Sequence, residues 1–203
     1  MNNMQLDAMK ELANIGTGHA ANALSELIGK RVDMNVPKVD LIPLEQVGFH
    51  FGHPEDPVCA IFSSCESSLE TILVFIMPLE DSEDLAEMLL KNISIPMKET
   101  EKESLRESAL SEAGNIILGA FISAMGDMVN QKLPLSVPHI TVDMLGAVMD
   151  IMVAIFGVES DTVFLIETAL SFPENEGRLF SGRIMLVPTP GSLGKFFQVL
   201  GLR

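Results

Sequence analysis

The chain has 203 residues, enough to bury a substantial core, with 47% hydrophobic residues and a formal net charge of −15. Such acidity excludes a nucleic-acid binder, because phosphate contacts need clustered Lys and Arg, and it suits a protein partner with basic residues around its own active site. No apolar run approaches the ~20 residues of a membrane span, and no basic start followed by an apolar stretch reads as a secretory signal, so no membrane insertion and a cytoplasmic location are expected.

The first apolar-periodic segment, about Asn3 to Lys30, predicts a long helix. A β-like run from Val32 to Ile42 follows, and then a Gly/Pro/His-rich stretch, Pro43 to Pro57, that reads as loop with a short turn. Val58–Cys65 and Glu70–Met77 read as strands joined by a Ser-rich turn, and Ser82–Lys91 as a short helix. Cys59 and Cys65 match neither a disulfide framework nor a zinc ligand set and are expected to be ordinary buried thiols. A second long helix is predicted from about Thr100 to Gln131, opening with the capping-box arrangement Thr100-x-x-Glu103. Leu133 to Val142 predicts another strand. The apolar stretch Asp143 to Phe156 predicts a helix with no good counterpart earlier in the chain. Two strands, Thr162–Leu170 and Leu179–Val187, joined by a loop from Pro173 to Arg178, and a closing helix from about Ser192 to Leu200 complete the chain.

The two halves are copies of one unit. Asp7, Glu11, Asn14 and Pro37 recur at a constant displacement of 101 residues as Ser108, Glu112, Asn115 and Pro138, and Ala8/Ala109, Ile15/Ile116, Gly18/Gly119, Ala23/Ala124 and Val36/Val137 hold the same register. Repeats of about 1–99 and 100–203 without a linker predict a single domain with a pseudo-two-fold axis. Its expected class is α/β (α+β): about six strands in one sheet with two long helices against it.

At 100° per residue, positions 11, 14, 18, 22 and 25 share one stripe of the first helix, and 112, 115, 119, 123 and 126 one stripe of the second. The stripes read Glu-Asn-Gly-Asn-Ser and Glu-Asn-Gly-Ser-Gly. Leu12, Ala13, Ala20, Ala23, Leu24 and Leu27 lie opposite in the first helix, and Ile117, Phe121, Ala124, Met125 and Met128 in the second; these are expected to face the sheet, with His19 toward the same side. Two readings of the polar stripe are open. It could be a solvated face with a local Glu–Asn contact at i, i+3. Alternatively, Gly18 and Gly119, each costing ~1 kcal/mol relative to alanine, give clearance for another molecule beside the Asn.

A Glu and an Asn form no nucleophile–base system, and no Ser/His/Asp or Cys/His set, metal-ligand spacing or phosphate loop accompanies them. His50 and His53 stand in a loop without a third ligand, so no metal is expected there. A carboxamide donates and accepts hydrogen bonds at once, and it could orient a water for in-line attack on a phosphoryl group. Such a site needs no cofactor of its own, since the partner already holds the phosphate and its Mg²⁺, while the Glu pairs with a partner lysine.

The pattern [Asp/Ser]-x3-Glu-x2-Asn-x22-Pro, met as Asp7…Pro37 and Ser108…Pro138, resembles the CheC/CheX/FliY family of chemotaxis phosphatases, and its CheC branch most. The stretches ELANIGTGHAANAL and LSEAGNIILGAF, the segment VDMLGAV at Val142–Val148 and the closing helix all take part in the likeness. The copies depart from each other where Gly16 meets Ile117 and Ala13 meets Gly114, but neither loses its Glu or Asn. The resemblance implies dephosphorylation of the phosphorylated response regulator CheY, with Asn14 and Asn115 orienting the water and Glu11 and Glu112 contacting the receiver's lysine. It also implies a second partner, the receptor deamidase CheD, docked on Asp143–Phe156 with Asp143 orienting the contact and Leu145, Val148, Met149 and Met152 supplying the area; by its residues alone this apolar stretch could equally be a buried packing helix. The alternative is a non-catalytic binding module of the flagellar-switch type with the same fold.

Overall fold

The computed structural model describes residues 2–67, 69–90, 98–156, 162–173, 179–189 and 191–202, the side chains at 36, 37, 99, 100, 155 and 156 being left aside. Helix α1 (Asn3–Ile28) leads into strand β1 (Asp33–Pro43), a 3₁₀ helix (Leu44–His50), strands β2 (Pro57–Cys65) and β3 (Thr71–Pro78), and helix α2 (Leu79–Leu90). The second half repeats the plan with α3 (Glu99–Val129), β4 (His139–Met144), α4 (Leu145–Phe156), β5 (Thr162–Ser171), β6 (Leu179–Pro188) and α5 (Ser192–Val199).

The six strands form one sheet in the order β1-β5-β6-β3-β2-β4, each neighbouring pair antiparallel. Exchanging the halves, β1 for β4, β2 for β5 and β3 for β6, gives the same order read backwards. The pseudo-two-fold axis therefore stands normal to the sheet between β3 and β6. Neither first strand pairs within its own half: β1 lies on β5 and β4 on β2.

The four inner strands are apolar at almost every position because both faces of the sheet are covered. With period two, Cys59, Ile61, Leu73, Phe75, Phe164, Ile166 and Ile184 face a core shared with α1, α2, α3 and α5. Their neighbours Val58, Ala60, Val74, Ile76, Val163, Leu165 and Met185 face a second, smaller core closed by the 3₁₀ helix and α4. Both cysteines are free and buried in β2, and burial pushes the Cys59 thiol up to about 11.

Proline explains how the outer strands differ from expectation. Between Asn35 and Lys38 the β1–β5 register shifts, so Pro37 falls at a bulge of an edge strand, where its missing N–H costs no ladder bond. In the second copy Pro134 and Pro138 leave 131–138 without regular structure, and β4 begins only at His139. Ser136 still ties this stretch to β2, its N–H donating to the Ser64 carbonyl at 2.8 Å.

Three further expectations need correction. The start of α3 is fixed by Glu101, whose carboxylate accepts the Lys98 backbone N–H at 2.9 Å, two residues before the expected Thr100–Glu103 box; the Thr100 side chain lies outside the described ones. Helix α4 does have a counterpart, since the 3₁₀ helix at the same place in the first half buries Leu44 and Val47 in the same core. The stretch Glu101–Val129 is, against the sequence reading, long and apolar enough to cross a membrane, but 56% of its most apolar 18-residue window is buried within this body, as in the core helix of a globular fold. The loop residues 174–178 and the expected helix end at Lys91 lie outside the described residues.

Helices α1 and α3 lie side by side on the sheet. A Cβ added to Gly16 would stand 2.9 Å from the Phe121 ring and 3.2 Å from its Cα, so this glycine sets the closest approach of the two helices. Gly16→Val is therefore expected to destabilise the fold by about 1–3 kcal/mol through overpacking. A lower urea midpoint with an unchanged slope would show it; an unchanged midpoint would mean the contact is not limiting.

Candidate phosphatase face

Helix α1 is pinned at its start by Asn2, whose side chain accepts the Gln5 N–H at 2.9 Å while Gln5 accepts the Asn2 N–H at 2.9 Å. From there, Met9, Leu12, Ala13, Gly16, Ala20 and Leu24 turn inward. That burial leaves Glu11 and Asn14, one turn apart, exposed on the outer face. In α3, Leu110, Ala113, Gly114, Ile117 and Phe121 turn inward, and Glu112 and Asn115 are exposed in the same way. Because the two-fold axis is normal to the sheet, both pairs face the same direction.

Among the described residues, no hydrogen bond or ion pair holds the side chains of Glu11, Asn14, Glu112 or Asn115. This removes the local Glu–Asn contact as a reason for the spacing. The nearby polar groups are satisfied without them: Thr17 donates its hydroxyl to the carbonyls of Ala13 (2.9 Å) and Asn14 (3.0 Å), and Lys10 pairs with Asp7 at 3.8 Å. Four free polar groups thus stand ready for a partner, and no desolvation cost has been met in folding.

A Cβ added at Gly18 or Gly119 would meet nothing within 4 Å. Packing within the described residues therefore does not require a small residue at either place. Asn22 and Ser123 are also exposed and extend the two stripes. The stripes end sooner than expected. Ser25 turns in, donating to the Ala21 carbonyl at 2.6 Å and accepting the Val32 N–H at 2.9 Å, and so shapes the exit from α1. Gly126 is buried, and a Cβ there would meet the Gln131 carbonyl oxygen at 2.5 Å, so the returning chain leaves no room for a side chain.

Other predicted residues move too. His19 is exposed rather than core-facing, Leu27 is 48% exposed, and Ala23 and Met128 are half-buried. Asp143 is exposed but belongs to β4, where it pairs with Val58 on the α4 side of the sheet. Leu145, Val148 and Met152 are buried in the second core and present nothing to a partner; Met149 is half-buried. Among the described side chains of α4, the large apolar ones that are exposed are instead Ile151 and Val153. Sequence reasoning also missed the Gly16–Phe121 contact; its signal was a second glycine in α1, matched by Ile117 in the other copy.

Among the described residues, neither pair lines the three best-formed cavities. A cleft of about 600 Å³ runs between α2, the first half of α3 and β4, but its lining (Glu83, Glu87, Glu103, Arg106 and Glu107 over Leu110 and Ile140) includes neither Glu112 nor Asn115. Its arginine is already engaged, at 3.5 Å from both Glu87 and Glu103. Among the described residues, no group of three or more His, Cys, Asp or Glu could hold a metal ion. Two carboxylate–carboxamide pairs on an open helical surface can act only on something that brings its own pocket.

Residues 4–40 and 105–142 match the model of the CheC-like family, two segments that carry both Glu/Asn pairs. The CheY-P phosphatase CheC of Bacillus subtilis (strain 168) is 29% identical over 97% of this chain and 94% of its own length. Among solved structures, the FliY of Thermotoga maritima shares the fold with a TM-score of 0.75 at 16% identity, covering 99% of this chain and 98% of that one. A CheX–CheY–BeF3–Mg complex from Borrelia burgdorferi shares it at a TM-score of 0.51 and 13% identity, covering 87% and 97%.

Replacing Gly18 and Gly119 together by alanine is expected to raise stability by roughly 1 kcal/mol per site, because each sits in open space inside a helix. Thermal melting checks the sign. A loss of stability would show that the fold does require glycine there.

Proposed function

We propose that this protein is a hydrolase that removes the phosphoryl group from the aspartyl phosphate of the response regulator CheY. The observation that carries this reading is the pair of exposed, unengaged Glu/Asn sets in register on two copies of one helix, in a chain similar to a CheY-P phosphatase over nearly its whole length. A flat face suits a protein substrate that supplies its own cavity, phosphate and Mg²⁺, so this chain needs no cofactor of its own. It acts as one domain, in the cytoplasm with its substrate.

In this mechanism Glu11 or Glu112 pairs with the receiver's lysine and sets the pose. The carboxamide of Asn14 or Asn115 then enters the receiver's site and holds one water in line with the P–O bond to the aspartate. Water oxygen bonds to phosphorus, the bond to the aspartyl oxygen breaks, and the carboxylate leaves with the electron pair. The water proton goes to the released inorganic phosphate. An amide is too weak a base to take that proton, so its contribution is position.

The same resemblance brings CheD as a second partner on the opposite face of the sheet. Asp143 keeps its proposed part in orienting CheD. With Leu145 and Val148 in the core, the apolar area falls to Ile151 and Val153 of α4. Helix α4 covers the sheet face opposite α1 and α3, so CheD and phosphorylated CheY are expected to bind together.

Phosphate release from phosphorylated CheY tests the first part. Asn14→Ala with Asn115→Ala should lower turnover ~100-fold or more in a folded protein, because both side chains are exposed. Glu112→Gln in the Asn14→Ala background should act mainly on KM. Normal turnover in the double Asn variant would overturn the water-positioning role, and tight receiver binding without hydrolysis by the unaltered chain would favour a flagellar-switch type of binding module.

Asp143→Lys tests the second part: calorimetry should show weakened CheD binding while phosphatase activity stays unchanged. Unaltered CheD affinity in the folded variant would remove Asp143 from that contact.

A further inference from the structure

We propose that the two Glu/Asn pairs serve one receiver at a time, so that the chain is a single docking surface with two alternative poses rather than two independent sites. This rests on the reading of both pairs as receiver-contacting, and it concerns how they are occupied.

The spacing follows from the sheet. A two-fold axis normal to it, between the antiparallel strands β3 and β6, makes α1 and α3 neighbours running in opposite directions. Gly16 faces Phe121, and the symmetry-related pair is Ala20 and Ile117, both fully buried. Counting outward in opposite senses from these contacts, Gly18 stands beside Gly119 at the axis. Asn14 is level with Ser123, and Asn115 is level with Asn22. Moving from the level of residue 14 to that of residue 22 covers about 12 Å along the helix at 1.5 Å per residue. With helix axes about 8–10 Å apart, the two carboxamides are roughly 15 Å from each other.

A standard interface buries about 800 Å² on each partner, a patch of about 16 Å radius. Such a footprint centred on either Asn reaches the other. A receiver of ordinary domain size has a radius of gyration of about 13 Å, so two of them approaching from the same side would overlap. The shared ground is the strip Gly18, Asn22, Gly119 and Ser123, at whose centre both glycines leave open space. Because the strip lies under both poses, bulk placed at its centre disturbs both pairs at once, which independent sites would not do.

Stoichiometry is the direct test. Sedimentation velocity and calorimetry of the full chain with CheY carrying BeF3⁻ and Mg²⁺, the fluoride standing in for the phosphoryl group, should give one receiver per chain at saturation. In addition, Gly18→Gln should lower receiver turnover about tenfold in both an Asn14→Ala and an Asn115→Ala background, with the melting temperature confirming the fold. Two receivers bound per chain would overturn the inference and leave the phosphatase reading intact, as would an effect of Gly18→Gln confined to the Asn115→Ala background. A chain that neither binds nor dephosphorylates CheY would overturn the functional reading and this inference with it.

Discussion

The structure depends on an exchange between its halves: each repeat gives its first strand to the other. Strand β1 finds its hydrogen bonds on β5, and β4 finds its own on β2. Separated, a half would keep one hairpin with two bare edges and a long helix with too little sheet to cover, and a lone hairpin is marginal in water. The exchange fixes the order of the sheet and places its two-fold axis, and the axis in turn decides that α1 and α3 lie antiparallel with their polar stripes facing the same way. Nothing in Glu11 or Asn14 themselves sets that direction. It follows from where β1 and β4 find their partners.

Burial and function divide the helices cleanly. Leu12 and Leu24 are fully buried, each worth about 1.5–3 kcal/mol relative to exposure, and with their neighbours they hold α1 down without help from its outer face. The stripe is therefore free to carry residues chosen for a partner, including two glycines that weaken their helices by about 1 kcal/mol each. On the proposed function, contact with the partner comes through side chains that are exposed and unengaged beforehand, so docking has to supply the ordering of Glu and Asn. On the same reading, the net charge of −15 would act at longer range on a receiver whose active site presents a lysine.

Much of this was legible in the sequence because the strongest signals were the ones that repeat. The 101-residue displacement predicted the duplicated plan, and period-two and period-3.6 patterns placed five of the six strands and the long helices within a few residues, β4 starting six residues later than expected. What stayed hidden were features that depend on contacts between distant segments. Ser25 and Gly126 sit on the polar stripe by angle alone, yet one caps the exit to β1 and the other makes room for the returning chain at Gln131. Leu145 and Val148 looked like an exposed apolar surface because the second, smaller core beneath α4 has no signature in a single segment. It is assembled from residues of five strands, β1, β2, β3, β5 and β6. Pro134 and Pro138 were in view, and their combined effect in delaying β4 could have been read from the missing N–H groups.

A surface without a pocket also explains why the site resisted reading as an enzyme from its own residues. A complete active site announces itself by a nucleophile, a base or a metal cluster in a cleft, and among the described residues no metal-binding cluster or cleft of this kind surrounds the Glu/Asn pairs. If the receiver supplies the phosphate, the metal and the walls, the phosphatase has to add only one oriented water and a charge that fixes the pose. Two residues one turn apart on a rigid helix suffice for that, and they tolerate little angular error because the helix sets both at once. Such a minimal insert is easily carried by either copy after duplication, since nothing else in the fold needs to change around it. The buried contact of Gly16 with Phe121 fits the same logic: the copies have diverged where they pack on each other, and have kept Glu and Asn where they face outward.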